Sequence, residues 1–189
     1  MWNNRLVNKF TEKNNTVEHT IETSRAHLYI LALLIPLLLV FVVPFIVIWD
    51  LQRIVSDILA YRIYSFPVII AGIITHELLH GLTWSLFVPN GMKAVKFGFN
   101  RKFLAPYCHC TDPMKVKHYR LGAVMPLLIL GILPWILALV LGSGALLVFG
   151  FLFIWTAGGD IITVCMLKDI PADTYVSDHP DKMGFIKQS

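Results

Sequence analysis

Charged residues and cysteines are both scarce in this sequence. Aspartate, glutamate, lysine and arginine make up 15% of the 189 residues, and there are three cysteines. So small a charged fraction, with 56% hydrophobic residues and a mean hydropathy of +0.66, argues against a soluble domain and favours a small polytopic membrane protein. A structural zinc site normally needs two ligand pairs at wide spacing, and Cys108 and Cys110 have no such second pair. Metal binding by the Cys108-His109-Cys110 run is therefore a minor alternative.

Four long runs of the sequence carry almost no charge. Each has about the twenty residues that a helix needs to cross the hydrocarbon core of a bilayer. The chain is therefore predicted to be an all-α polytopic membrane protein with four transmembrane helices in one membrane domain, residues 29–167. A polar leader, 1–28, and a polar tail, 168–189, flank that domain. The predicted spans are residues 29–49, 66–88, 121–141 and 144–167.

The first run differs from a secretory signal peptide. It is too long for a signal-peptide apolar region, and no small-residue cleavage site follows it. We therefore expect it to be a retained span.

Basic residues predict the orientation, because lysine and arginine in short loops favour the cytoplasmic side. With the N-terminus inside, only Arg53 and Arg62 of the 16 basic residues lie outside. Both termini are therefore predicted to be cytoplasmic. The net charge of +4 then reflects this topology rather than a nucleic-acid partner. Cys108 and Cys110 fall in a cytoplasmic loop, where the reducing environment argues against a disulfide.

The segments between the spans carry their own signals. Residues 50–65 alternate apolar and charged positions at helical spacing, which suggests an interfacial turn of helix, and Pro67 would then start the second span. In the inner loop 89–120, an alternating run at 94–99, a turn at Asn100 and a return at 103–108 predict a small β-hairpin.

Other segments are predicted from proline, glycine and polarity. Pro126 and Pro134 should kink the third span, and Gly142 to Gly144 should form the tight turn into the fourth. The polar leader shows no strong hydrophobic period and is expected to be flexible or interfacial, and the tail is expected to be loosely ordered.

The most informative feature is the run His76-Glu77-Leu78-Leu79-His80 inside the second span. Histidines four apart share one helix face, so both imidazoles can reach one metal ion while Glu77 handles a water proton. The pentapeptide alone is common by chance. An ionisable group near the bilayer centre, however, costs about 2.5 to 3.5 kcal/mol on insertion scales, and coordination to a cation offsets such a cost.

A catalytic zinc site usually has three protein ligands, so the two histidines need a partner. Away from the span borders, the only carboxylates in the four runs belong to Glu77 and Asp160. At 1.5 Å rise per residue, both His80 and Asp160 lie roughly 10 to 12 Å from the cytoplasmic boundary, so they can share one layer. Gly158 and Gly159 would allow the two helices to approach closely. Asp160 is the predicted third ligand.

These residues together resemble the site-2-type intramembrane zinc metalloproteases and, more narrowly, the small bacterial zincin peptidase membrane family. The resemblance covers about residues 66–167. It implies that His76, His80 and Asp160 bind Zn²⁺ and that Glu77 is the general base for peptide-bond hydrolysis. The substrates would be membrane-embedded or membrane-proximal peptides, and the location would be a bacterial plasma membrane.

The sequence also departs from the larger site-2 family. Asp160 is preceded by two glycines and followed by Ile161, and the Asn-Pro element that often precedes the family's aspartate is missing.

Other functions fit some of the same residues. Intramembrane histidines and carboxylates also build proton or metal-ion transporters, and the cluster could instead be a structural polar network or the metal site of an inactive protein. The predicted hairpin has two interpretations, capture of a substrate by strand addition or a surface plug with aromatic side chains in lipid. His118 is predicted to be a solvated interfacial residue rather than part of the site.

Overall fold

A computed structural model describes residues 16–100, 105–179 and 183–188. It is mostly helical. Within the described residues, four helical stretches are long and apolar enough to cross a membrane: Arg25–Trp49, Leu51–Ser85, Val116–Leu141 and Gly144–Met166. Two small antiparallel sheets accompany them, so the predicted all-α class is corrected to a helical protein with β-structure in addition to the hairpin.

The chain divides into two compact units. The sheet unit comprises the described residues of Met1–Leu28, Glu77–Met125 and Gly159–Ser189, and the helical unit comprises Tyr29–His76 and Pro126–Gly158. One border between them falls inside a continuous helix, between His76 and Glu77.

The first helical stretch is built from several segments. Helix α1 (Thr23–Ala32) leads into α2 (Leu34–Leu37), a π-helical turn (Leu38–Val42) and α3 (Val43–Trp49). The stretch ends at Asp50, which has a positive φ of 72°. The indole Nε1 of Trp49 donates a hydrogen bond to the carbonyl of Leu139 at 2.8 Å. That bond anchors this end to another helix of the helical unit.

Helix α4 runs without interruption over Leu51–Ser85. The prediction that this helix starts at Pro67 is wrong, because the helical pattern of the preceding segment continues directly into the apolar run. Asp50 directly precedes α4, and its Oδ1 accepts a hydrogen bond from the backbone N–H of Gln52 at 3.2 Å. A proline in mid-helix removes one backbone hydrogen bond and bends the helix without ending it. Pro67 therefore lies inside α4.

The third helical stretch changes its winding between its two prolines. Helix α5 (Val116–Pro126) passes into a π-helical turn (Leu127–Ile132) and then α6 (Leu133–Leu141). A π-helical turn of this kind accommodates the hydrogen bonds that proline cannot donate. The irregularity lies where Pro126 and Pro134 predicted a kink.

A tight turn joins α6 to α7 (Gly144–Thr156), as the sequence predicted. Gly142 has the left-handed φ of 64°, and the hydroxyl of Ser143 caps α7 by accepting from the N–H of Leu146 at 3.4 Å. After a break at Ala157, helix α8 follows over Gly158–Met166.

The predicted hairpin is present. Strands β2 (Val95–Asn100) and β3 (Ala105–Cys110) pair antiparallel, with Val95 opposite Cys110 and Asn100 opposite Ala105. A 3-10 turn, Gly91–Ala94, precedes β2. Both strands belong to the sheet unit.

The second sheet corrects the expectation of a loosely ordered tail and, from residue 16 onward, that of a flexible leader; residues 1–15 lie outside the described residues. Its four strands are β1 (Thr16–Ile21), β4 (Met114–Lys115), β5 (Tyr175–Asp178) and β6 (Met183–Gln188), arranged in the order β1-β6-β5-β4. All neighbours are antiparallel. Met114, Val176 and Phe185 from this sheet are fully buried in one core cluster with Trp84 of α4. Strands β5 and β6 of the polar tail therefore contribute to a packed core.

Candidate metal centre

Helix α4 and helix α8 bring the three predicted metal ligands together. One ligand atom from each of His76, His80 and Asp160 lies within 4.8 Å of the others. The two histidines lie one turn apart on continuous α4, and Asp160 lies in the first turn of α8. A carboxylate in that turn also interacts favourably with the N-terminal end of the helix dipole. In the described part of the chain this is the one cluster of three or more potential ligands.

His80 is the most constrained member of the cluster. It is 5% exposed, and its Nδ1 lies 2.9 Å from the carbonyl oxygen of Gly122 in α5. A carbonyl can only accept, so Nδ1 carries a proton and donates it, and Nε2 is the ring nitrogen that faces the other members of the cluster. Nε2 lies 3.4 Å from Oδ1 of Asp160. The hydrogen bond at Nδ1 therefore gives the ring the orientation required for binding a metal through Nε2.

Trp84 holds the His80 ring from the side. The two rings stack with centroids 5.2 Å apart and planes 17° apart, and Trp84 also stacks on Tyr119 at 5.2 Å. The Trp84 Nε1 donates to the carbonyl of Tyr119 at 3.2 Å. Gly122 lies directly against this indole, where a Cβ atom would come within 2.9 Å of Cε2. The stack therefore depends on a glycine at position 122.

His76 lies at the start of the same turn, in the helical unit. Its ring centroid is 6.4 Å from that of the buried Phe153 of α7, with the planes tilted by 32°. Gly72, one turn earlier, has no space for a side chain because Phe149 and Phe153 cover it. Close packing on α7 therefore orients the helix segment that carries His76.

Glu77 lies next to the hairpin. Burial, together with the negative charges of Glu77 and Asp178, raises the pKa of the Cys108 thiol in β3. Strand β2 packs on the same helix at Gly81, where an added Cβ would meet Cγ1 of Val95 at 2.8 Å. The hairpin thus packs on α4 at Gly81, the residue after His80.

The Cys108-His109-Cys110 run belongs to a different network. His109 lies with Nδ1 2.9 Å from Oδ2 of Asp178, and the Tyr119 hydroxyl donates to Oδ1 of the same aspartate at 2.9 Å. Cys110 is buried in the core. These residues are not part of the ligand cluster.

His118 also has a contact of its own. Its ring stacks on Phe87 with centroids 4.1 Å apart, and it too lies outside the ligand cluster.

Sequence reasoning missed the residues that support His80. Trp84 lies four residues after His80 on the same helix face, which is a usable signal. Gly122, Tyr119 and Asp178 carry no local signal. They meet α4 only through the packing of α5 and the four-stranded sheet.

A family model described as "Putative zincin peptidase" matches residues 69–175. The match covers more than half of the chain. The chain belongs to this family. Family membership implies a zinc-dependent peptidase, and the matched range includes both α4 histidines and Asp160. No curated protein and no solved structure matches this chain.

Proposed function

We propose that the protein is an intramembrane zinc metallopeptidase that cleaves membrane-embedded or membrane-proximal peptides. The observation that carries the proposal is the convergence of His76, His80 and Asp160 within 4.8 Å, with Glu77 beside them on the same helix. The zincin family match and four helices of membrane-spanning length support it. The relationship to site-2 proteases and the cytoplasmic placement of both termini stay predictions from the sequence.

The donor set suits zinc. Two imidazoles and one carboxylate are a common ligand set of catalytic zinc, which keeps a further coordination position for water or substrate. The hydrogen bond from His80 Nδ1 to a backbone carbonyl is the usual partner of a zinc-binding histidine. Zinc held there would supply Lewis acidity towards a peptide carbonyl and a water molecule.

Glu77 would act as the general base. It follows His76 directly in the helix and is not one of the three proposed ligands. It would take a proton from the attacking water and return that proton to the leaving amine. The half-buried position of Glu77 would limit the access of bulk water to these transfers.

The hairpin would hold the substrate. A peptide in a helix hides its amide groups, so the cleaved segment must be extended. The β2–β3 sheet has only two strands, and each therefore has one edge without a strand partner among the described residues. Since β2 packs on Gly81 next to His80, a peptide added to this sheet would lie close to the ligands.

Metal content tests this proposal. The full chain, purified in detergent from membranes, should contain about one zinc per chain by elemental analysis, because three protein ligands define one catalytic site. Zinc should be lost in His76→Ala and Asp160→Ala and retained in Glu77→Gln. Asp169→Ala, which removes an exposed carboxylate outside the cluster, is the matched control and should keep its zinc.

Proteolysis tests the chemistry. Cleavage of a reconstituted membrane peptide should be lost in Glu77→Gln even though zinc is retained. Folded parent protein without zinc would contradict the proposal and favour a proton relay or a structural polar cluster. Zinc binding with cleavage unaffected by Glu77→Gln would contradict the assigned base.

A further inference from the structure

The start of α8, which carries Asp160, is not a rigid continuation of α7. The helix breaks at Ala157, and α8 opens with Gly158 and Gly159, two residues that restrict the backbone least. An added Cβ at Gly159 would meet only the end of the Met183 side chain, at 3.3 Å. Contacts further along α8 therefore contribute to the placement of Asp160.

Arg120 of α5 holds the other end of α8. Its Nη2 donates hydrogen bonds to the carbonyl oxygen of Leu167 and, at 3.4 Å, to that of Ile170. These two residues form one turn after the helix, because the N–H of Ile170 also donates to the Leu167 carbonyl at 3.0 Å. Arginine is a favourable partner for the carbonyls and the negative dipole at a helix C-terminus. The guanidinium group therefore caps α8 from a neighbouring helix.

The hydrogen bonds of Arg120 are directed at this turn alone. Its Nε is buried and has no hydrogen-bond partner among the described residues, which is unfavourable for a buried donor. Leu167 is also fully buried in the core cluster, but apolar packing is non-directional. The guanidinium group thus supplies directional contacts that fix α8 along its own axis.

The same turn of α5 also holds His80. Gly122, two residues after Arg120, accepts the hydrogen bond from His80 Nδ1 at 2.9 Å. Helix α5 therefore connects to one proposed ligand directly and to the helix of another, Asp160, through Arg120. Asp160 lies seven residues before Leu167, which is about 10 Å along a helix. Since a helix of this length moves as one body, a shift at Leu167 would displace Asp160.

We propose that Arg120 is a positioning residue of the metal centre. By holding the C-terminal end of α8 on α5, it sets the distance between Asp160 and His80, whose Oδ1 and Nε2 atoms lie 3.4 Å apart. Distances between a metal ion and its ligands vary by only about 0.2 Å, so a displacement of α8 by a fraction of its rise per residue would weaken binding through Asp160. The inference deepens the proposed function and rests on the three ligands assigned there.

Zinc affinity measures this role. In the full chain, purified in detergent from membranes, Arg120→Gln should bind zinc about 10- to 100-fold more weakly in competition with a chelator, the range typical for loss of a group that orients a metal ligand. Lys168→Gln is the matched control, because Lys168 is an exposed cation in the turn that follows α8. It removes the same charge from the same helix end without removing the cap, and it should bind zinc like the parent.

The visible spectrum of bound Co²⁺ separates positioning from general stability. Cobalt binds the same nitrogen and oxygen ligands as zinc, and its d–d bands report the number and geometry of those ligands. Arg120→Gln saturated with Co²⁺ should show shifted bands, because Asp160 is displaced. Asp57→Ala removes a cap on α7 in the helical unit. It should lower the melting temperature but keep the parent spectrum.

Arg120→Lys keeps the test decisive if Arg120→Gln does not fold. Lysine retains the charge but lacks the planar donor group of arginine. Its zinc affinity should therefore be weaker than the parent's, by less than the glutamine variant's loss, and its cobalt bands should shift in the same direction. Thermal unfolding of the zinc-free protein shows which variants fold.

Three results would overturn the proposal. The first is parent-like zinc affinity in folded Arg120→Gln or, if that variant does not fold, in Arg120→Lys. The second is weaker zinc binding with the parent's cobalt spectrum, which would assign Arg120 to general stability. The third is an equal loss of affinity in Lys168→Gln. A parent protein that binds neither metal refutes the proposed function together with this inference, whereas any of the three results in a metal-binding parent refutes the positioning role alone.

Discussion

Gly122→Ala is expected to weaken the metal centre without changing any proposed ligand. The added methyl group would meet the Trp84 indole at less than van der Waals distance. Trp84 cannot simply move aside, because it stacks on His80 on one side and on Tyr119 on the other. If α5 moved instead, the hydrogen bond from His80 Nδ1 to the Gly122 carbonyl would lengthen. Either response disturbs His80.

The magnitude follows from the tight packing. Overpacking of a buried site typically costs about 1–3 kcal/mol in the free energy of unfolding. For a chain of this size each kcal/mol lowers the melting temperature by about 2–4 °C. Loss of the group that orients a metal-binding histidine weakens metal affinity by about 10- to 100-fold. We expect both effects in Gly122→Ala, with the first present in zinc-free protein.

Two assays on detergent-purified protein measure these effects. Thermal unfolding of the zinc-free protein reports the packing cost, and competition with a chelator reports the zinc affinity. Gly159→Ala is the matched control, because its Cβ would meet only the flexible end of Met183 at 3.3 Å although it adjoins Asp160. It should stay within about 0.5 kcal/mol of the parent.

A second substitution makes the test sharper. Trp84→Ala removes the whole indole that the new methyl group would meet. The double variant should therefore be less destabilised than the sum of the two single variants. The reasoning would be refuted if Gly122→Ala bound zinc and unfolded like the parent, or if Gly159→Ala were equally damaging.

Three further predictions concern groups outside the ligand set. Asp57→Ala should lower the free energy of unfolding by about 1–2 kcal/mol, because the cap on the Gly144 N–H is lost; a melting temperature equal to the parent's would contradict this role. Asp178→Ala should destabilise the fold by about 1–3 kcal/mol, and by less in a Tyr119→Phe background, since the Tyr119 hydroxyl donates to Asp178. Additive losses in the double variant would count against the pairing. Burial and nearby carboxylates raise the pKa of the Cys108 thiol. This thiol should therefore stay protonated through pH 8.5, where a free thiol is half ionised, and its labelling by maleimide should be slow until the protein is denatured. Rapid labelling of the folded protein at neutral pH would refute this.

Much of the fold and of the candidate site could be predicted because the relevant signals are local in the sequence or come from the scarcity of other candidate residues. The His76–His80 spacing follows from the helical period, and Asp160 stands out because the apolar runs contain almost no other carboxylate. The hairpin follows from alternation around a turn, and the helix break at Gly142 from a residue that tolerates positive φ. Residues near one another in the sequence carry each of these signals, except for Asp160.

The start of α4 shows where local reasoning fails. Pro67 is a strong signal for a helix start, but the amphipathic pattern before it was read as a separate interfacial turn. Continuity of the backbone hydrogen bonds from Leu51 onward outweighs the loss of one such bond at Pro67. The single proline did not determine the boundary.

The sequence by itself determined the candidate metal ligands, the helix that carries two of them and the apolar character of the four long helices. Only the tertiary structure decided that β1 pairs with β6 from the opposite end of the chain, and that Gly122, Trp84 and Tyr119 fix the orientation of His80. The physical reason is the separation along the sequence of the residues that interact. A helical period and a motif spacing depend on hydrogen bonds between residues a few positions apart, whereas strand pairing and side-chain stacking join segments far apart in the chain, whose partners become known only when the chain packs.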